Sequence, residues 1–217
     1  MTFKIVARAG VVGSIICTVG CIPLTVGSTA KPVPVGTIVH STSMYFVPNS
    51  FDDTIDHRSL PRYGVDYEVR FGWDDHSDIG VRVPSGSGIV ANYKRRLNGV
   101  SQAPGAATSI MVGGGIVNWG EHAHLEATLI TSAAESDRFT PYGGLRAMQV
   151  IPIDRGAVHD SPTLGGFLGA RIGTLTAGIS PEIGIFYDHS ALHLHKGNVL
   201  FVPAITIHGD VARWLYP

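Results

Sequence analysis

The chain has 217 residues, of which 44% are hydrophobic and only 15% charged, and its formal net charge is −1. This length suits a single β domain, and the apolar share does not demand helical membrane spans. The near-neutral charge gives no support for nucleic acid or an anionic surface as a partner.

Residues 1–21 have the pattern of an export signal. Lys4 and Arg8 precede an apolar run at residues 9–19, and no acidic residue occurs before Asp52. The apolar run is too short for a membrane-spanning helix, whereas a positive start followed by a short apolar region is typical of a secretory signal peptide. We therefore expect the protein to be exported.

The end of this segment, TVGC at residues 18–21, resembles a bacterial lipoprotein signal. That resemblance implies lipidation of Cys21 as the first residue of the mature protein. The alternative is an ordinary signal cleaved near Gly20 or Ala30. Residues 22–35 contain three prolines and are predicted to form an extended tether rather than a packed element. The β domain is expected to span residues 36–217.

From Gly36 onward the chain shows strand patterns and no convincing helical period. Most of the segments reach the roughly 9–11 residues that a tilted strand needs to cross a bilayer, and exceed the 5–6 residues that are common in soluble sheets. The predicted strands are 37–47, 64–73, 78–84, 88–97, 107–118, 122–132, 139–150, 164–173, 175–187 and 198–208.

The alternation is clearest in residues 65–83, where one face of the predicted hairpin is wholly apolar and aromatic and the other is charged. Successive residues of a strand point to opposite faces. In a membrane barrel the apolar face meets lipid and the charges line the lumen. Arg95 interrupts the apolar face near the end of its strand, where a long cationic side chain can reach the membrane interface.

The polar faces of these strands define a predicted charge-filled lumen. Side chains of opposite sign at similar depth can pair across a narrow barrel and leave no open pore. The alternative is a polar passage for small solutes or a ligand cavity. The predicted lumen charges are Asp66, Glu68, Arg70, Arg82, Lys94, Arg96, Glu126, Arg146, Arg171 and Glu182.

The connections between strands predict an orientation. If the chain enters the barrel from the periplasm at Gly36, the connections 48–63, 151–163 and 188–197 fall on the extracellular side, where such barrels carry their longer loops. Aromatic residues near strand ends suggest an interfacial girdle, and these are Tyr45, Trp73, Trp119, Tyr142 and Tyr187.

The chain is similar in pattern to small bacterial outer-membrane β-barrel proteins with a lipoprotein-type signal, of the porin-like or OmpA-like kind. Three stretches carry the likeness, namely residues 62–84, 140–150 and 165–188. The resemblance implies an all-β, antiparallel up-and-down transmembrane barrel of ten strands, with eight as the alternative. It implies an outer-membrane location, surrounding lipid, and other envelope proteins as partners. It implies no cofactor and no specific activity.

Two other constellations suggest chemistry. His122, His124 and Glu126 share a strand face and are candidate metal ligands, such as for zinc. A lipid-modifying enzyme, such as a deacylase, would need serine, histidine and an acid in contact. The loop sequences 159–161 (HDS) and 188–190 (DHS) supply these residue types, but neither matches the His-x-Ser-Asn pattern of barrel deacylases. We expect no enzymatic activity.

Another possible class of protein has the opposite arrangement, with the apolar faces of the strands pointing inward. A tethered lipocalin-like barrel would bind a ligand inside an apolar interior. We expect instead a structural or interaction role in the outer membrane, with passage of small solutes as the second choice.

Overall fold

Continuous antiparallel pairing closes the chain into a barrel. In this computed structural model, the described residues are 22–52, 59–99, 105–136, 138–153, 162–188 and 199–209. Within them, each strand pairs with its sequence neighbours, and β1 pairs with β10 to close the ring. The strands are β1 Ile38–Asp52, β2 Ser59–Asp74, β3 Ser77–Pro84, β4 Ile89–Arg96, β5 Ala107–Val117, β6 His122–Ser132, β7 Thr140–Pro152, β8 Thr163–Gly173, β9 Gly178–Tyr187 and β10 Val199–His208.

The predicted all-β, up-and-down barrel of ten antiparallel strands is confirmed, and the alternative of eight strands is wrong. Closure pairs the strands at both sides, so that the barrel leaves no open sheet edge. No helix in the described part of the chain is both long and apolar enough to cross a membrane.

The predicted hairpin is formed by β2 and β3, which pair antiparallel. Glu68 lies opposite Arg82, and Arg70 lies opposite Gly80. The two strands are joined by a tight turn in which the backbone N–H of His76 donates to Asp74 Oδ1 at 2.7 Å. This hydrogen bond holds the pKa of Asp74 below its usual range, because it favours the ionised carboxylate.

The predicted connection 48–63 is too long. Strand pairing continues to Phe51 opposite Leu60 and Asp52 opposite Ser59, after a register shift that follows Val47. Backbone hydrogen bonds carry the ladder past the point where the apolar alternation ends, and an alternation pattern cannot detect such an extension. The part of the predicted loop between Asp52 and Ser59 lies outside the described residues.

Side chains divide sharply between the two faces of the barrel. The outward face carries large exposed hydrophobic residues on every strand, such as Tyr67, Ile110 and Leu168, the last with 75% of its surface exposed. Arg95 is also exposed and lies one residue from the end of β4. Charged side chains point inward and are buried, so the faces are those of the membrane interpretation. The lipocalin-like alternative, which needs an apolar interior, is therefore wrong.

The two ends of the barrel are distinguished by the course of the chain. We call the end at which β1 begins and β10 finishes the base, and the opposite end the top. The base carries the turn after Asp74 and the connection between β8 and β9. The top carries the turn between β3 and β4, where Ser85 and Gly86 both have positive φ, and the short 3-10 turn Asn118–Gly120.

Candidate functional site: the occupied lumen

All ten predicted lumen charges lie inside the barrel, each with 5% or less of its surface exposed. They come from strands β2, β3, β4, β6, β7, β8 and β9. Their inward direction follows from the alternation along each strand. Burying an isolated charge costs several kcal/mol, so the structure must supply each one with partners.

Near the base, Asp78 links two cations. Arg70 donates to Asp78 through Nε at 3.1 Å and Nη2 at 2.5 Å, and Lys94 Nζ lies 3.3 Å from the second carboxylate oxygen. Arg70 Nη1 also donates to Glu68 at 2.7 Å and to Asn92 Oδ1 at 2.8 Å. The Asp78 side chain is completely buried. We refer to Glu68, Arg70, Asp78, Asn92 and Lys94 as the base network.

Higher in the lumen, two arginines point toward its axis. Arg82 pairs with Glu68 at 3.0 Å, and Arg146 pairs with Glu126. His124 Nε2 lies 3.3 Å from the Glu126 carboxylate. Asp66 interacts electrostatically with both arginines. The two ion pairs place charges of opposite sign in contact within the barrel.

An extended peptide segment runs through the middle of this lumen. Its residues 22–33 are buried, and they lie between the strands with no regular secondary structure. Ile22 is at the top, where Tyr45 donates a hydrogen bond to its carbonyl at 2.8 Å. Val33 is at the base, where its N–H donates to Asp78 at 2.7 Å. Val35 then bridges to Gly72, and the chain turns into β1.

This course differs from the expected tether. The segment is extended, as the prolines suggest, but it is packed inside the barrel rather than free outside it. We call residues 22–33 the lumen segment. Sequence pattern alone could not place it there, because its small and apolar side chains have no period and its partners are far away in the chain.

The lumen charges hold the lumen segment by its backbone. Arg82 Nη1 and Arg146 Nη1 both donate to the Thr25 carbonyl, at 2.7 and 2.8 Å. The Glu182 carboxylate accepts from the N–H groups of Val26 and Gly27, both at 2.8 Å. The segment thus supplies hydrogen-bond partners that the barrel wall leaves unfilled.

Lys94 holds the lower part of the lumen segment. Its ammonium group donates to the carbonyls of Thr29, at 3.2 Å, and Lys31, at 2.9 Å, and to Ser28 Oγ at 2.9 Å. With the ion pair to Asp78, these bonds satisfy a lysine that is 1% exposed. A buried ammonium group with this many acceptors needs no bound ligand to explain it.

Two apolar clusters complete the packing. Near the top, Ile22 and Leu24 pack in a cluster with Tyr45, Val47, Met148, Val150, Phe186, Leu200 and Val202. Toward the base, Val26 and Ala30 pack in a cluster with Ala107, Met111, Ile130, Tyr142 and Phe167. The lumen therefore contains more than the predicted charges, because inward apolar side chains of the wall pack against the apolar side chains of the lumen segment.

Little space is left around the lumen segment. A cavity of about 20 Å³ lies between the segment and the base network, lined by residues that include Lys31, Arg70 and His208. This volume accommodates about one water molecule. Beside the base network, the lumen segment and the wall therefore leave room for little more than water.

Asp78, Tyr45 and Tyr142 belong to this site, although none of them was predicted there. Asp78 is the first residue of the predicted strand 78–84 and lies in phase with Gly80 and Arg82, so the alternation indicates its inward direction. Tyr45 and Tyr142 were expected in an interfacial girdle. The prediction that they belong to the girdle is wrong, because both side chains are buried. The Tyr142 hydroxyl donates a hydrogen bond to the Glu182 carboxylate at 3.0 Å. Each ring lies over a glycine, Gly64 and Gly169, that leaves room for it.

The candidate metal ligands do not come together. His124 and Glu126 are adjacent, but Glu126 is paired with Arg146, and His122 Nδ1 lies 3.3 Å from the Asn118 amide. Across the described ranges, no group of three or more His, Cys, Asp or Glu side chains is placed to hold a metal ion.

Several other candidate residues lie outside the described residues. These are Cys21 and the sequences around Ser161 and Ser190. Asp188, which precedes the second of these sequences, is described, and it accepts a hydrogen bond from the Thr163 hydroxyl at 2.6 Å.

Comparison with known proteins gives fold-level likeness only. No protein-family model matches the sequence, and no curated protein matches it. Among solved structures, Neisserial surface protein A (NspA) is 13% identical with a TM-score of 0.35, over 78% of this chain and 95% of that one.

Two further outer-membrane structures are similar to the same degree. OprG from Pseudomonas aeruginosa is 14% identical with a TM-score of 0.35, over 84% of this chain and 97% of that one. Ail, the attachment invasion locus protein of Yersinia pestis, is 9% identical with a TM-score of 0.30, over 80% of this chain and 97% of that one. At these values the barrel assignment rests on the strand pairing of this chain itself.

The base network yields a stability prediction. Asp78→Asn leaves Arg70 and Lys94 buried without their shared counter-charge, and removing one partner of a buried ion pair costs about 3–5 kcal/mol. We expect the free energy of unfolding in detergent micelles to fall by this amount. Asp75→Asn makes the same chemical change at an exposed turn position and should shift it by less than about 0.5 kcal/mol. Equal effects of the two substitutions would contradict the role of Asp78.

Proposed function

We propose that this protein is an integral barrel of the bacterial outer membrane with a structural or interaction role, and that its own lumen segment closes its interior. One observation carries the proposal, namely the continuous outward apolar surface around a charged and buried interior. Soluble monomers rarely expose contiguous apolar patches of more than a few hundred Å². A bilayer is the solvent in which this surface is stable.

The positions of exposed aromatic residues support the proposal. Trp73 lies near the base, and Trp119 and Tyr187 lie near the top, each with half or more of its surface exposed. Aromatic rings with a polar edge favour the two membrane interfaces. Between these levels the outward residues are mainly aliphatic. In this arrangement the base faces the periplasm, because the barrel begins and ends there, and the top faces outward.

Lipid around the barrel wall and other envelope proteins are the partners that this arrangement favours. Passage of small solutes is the weaker alternative, because the lumen segment fills the interior. A lipid-modifying activity is also the weaker alternative: Ser180 Oγ and His208 Nε2 lie 3.0 Å apart, but both side chains are buried in the lumen and Ser180 Oγ also accepts a hydrogen bond from Arg171 Nε.

The membrane location can be tested on the outward face. Ile183 lies in the middle of β9 with 49% of its surface exposed. If the outward face met water, Ile183→Arg would change the free energy of unfolding very little. At the centre of a bilayer, an outward arginine lowers the free energy of unfolding by about 2–4 kcal/mol. We expect that loss in the free energy of unfolding measured by denaturant titration in lipid vesicles.

Val199→Arg is the matched control, since Val199 is the first residue of β10 and lies at the top. There the same change should cost only about 0–1 kcal/mol. Near-zero and equal costs at both positions would mean that the outward face meets water.

Because the lumen segment closes the lumen, we expect the protein not to conduct ions across a bilayer. Purified wild-type protein added to a planar lipid bilayer should produce no stable conductance steps beyond those of a detergent-only addition, because the segment and its partners leave no continuous passage. Reproducible steps of uniform size would contradict closure and favour the solute-passage alternative.

Lipidation of Cys21 remains a prediction that metabolic labelling with palmitate can check. Cells expressing the protein and fed labelled palmitate should label the wild type and Cys17→Ser, and should fail to label Cys21→Ser. Labelling that persists in Cys21→Ser would reject this site. Because Ile22 lies at the top, an acyl group on the preceding residue would be attached to the end of the lumen segment that is far from the base.

A further inference from the structure

The contacts of the lumen segment are made mostly with its main chain. The barrel wall donates to the carbonyls of Ile22, Thr25, Thr29 and Lys31, and accepts from the N–H groups of Val26, Gly27 and Val33. Side chains of the segment contribute few polar contacts, such as that of Ser28 with Lys94. Main-chain groups are common to all peptides, so this wall recognises an extended polypeptide as a class.

Shape restricts which peptides can fit. Gly27 has φ of +59°, and a Cβ atom there would collide with the Thr206 side chain. Val26 and Ala30 fit the lower apolar cluster, whereas Ile22 and Leu24 fit the upper one. The lumen therefore selects an extended segment with a glycine at its centre, small neighbours, and aliphatic residues toward the top.

The lumen segment is joined to the barrel at its lower end by an exposed link. Val35 has 52% of its surface exposed, and the space around a Cβ on Gly36 is open. The strand ladder closes without the segment, since all ten strand pairs are formed by other residues. In its contacts the segment thus resembles a bound ligand that is joined to the barrel through this link.

We propose that the lumen is a binding site for an extended polypeptide, that residues 22–33 occupy it in cis, and that a peptide of the same chemistry binds it in trans when the tethered segment is displaced. The tether gives the attached segment an effective concentration in the millimolar range, so the cis form dominates in the wild type. This inference rests on the lumen contacts and not on membrane location.

The experiment uses the full chain in detergent and a fluorescent synthetic peptide with the sequence of residues 22–35. Gly27→Leu in the full chain should expel the tethered segment, because the leucine side chain collides with Thr206. We expect saturable binding of the labelled peptide to this variant by fluorescence anisotropy, competition by unlabelled peptide, and no binding to the wild type.

Variants of the wall and of the peptide test main-chain recognition. Adding Glu182→Gln to the Gly27→Leu chain weakens two charge-assisted bonds and should weaken peptide binding at least about tenfold. A peptide with Gly27→Leu should not bind. A peptide with Thr25→Val should bind as well as the parent, because the Thr25 hydroxyl has no partner among the described residues while its carbonyl is retained.

A second variant covers the case in which Gly27→Leu does not fold. A specific protease sequence is inserted between Val35 and Gly36, the folded protein is cleaved, and the freed segment is exchanged against labelled peptide while circular dichroism follows the barrel. Uptake by the folded barrel supports the proposal.

Three results overturn the proposal. The first is a folded barrel that takes up no labelled peptide in either variant. The second is a barrel that unfolds whenever the segment leaves, because the segment would then be part of the fold. The third is equal uptake of the Gly27→Leu peptide, which would show apolar adsorption. Since the assay is done in detergent, none of these results decides whether the barrel belongs in a membrane.

Discussion

The structure depends on one constraint: charges buried inside a narrow barrel must find partners. Strand alternation places the predicted lumen charges of β2, β3, β4, β6, β7, β8 and β9 inward. Pairs such as Glu68–Arg82 and Glu126–Arg146 meet part of this need. Peptide groups of the lumen segment are further partners, for example for Lys94 and Glu182, and these N–H and C=O groups hydrogen-bond strongly without carrying net charge.

This arrangement explains why the interior needs both a charged wall and an extended segment. Glu182 and Lys94 act at different heights, one accepting from amide N–H groups and the other donating to carbonyls. A helix in the lumen would use those groups in its own hydrogen bonds, and a paired strand would use them with its neighbour, so an unpaired extended chain is the form that leaves them available. The prolines at positions 23, 32 and 34 disfavour such regular structure.

The outward face meets a different requirement. The outward faces of the strands present exposed apolar side chains, whereas the inward faces bury the ions together with two apolar clusters. The same alternation produces both faces. A shift of one residue in any strand would expose its charges and bury its apolar row, which is why the register is strongly determined.

The strands and the inward direction of the ten lumen charges could be predicted from the sequence, because period-two alternation in residues 65–83 and its repeats assigns these side chains to one face. The barrel itself was implied by the resemblance to outer-membrane barrels, which left eight strands as the alternative to ten. The long pairing of β1 with β2 and the inward positions of Tyr45 and Tyr142 could not be predicted. The position of residues 22–33 inside the lumen emerges only from the folded chain. Their partners, such as Glu182 and Arg146, lie more than a hundred residues away. Contacts made through the backbone leave no signature in the side chains of the segment that makes them.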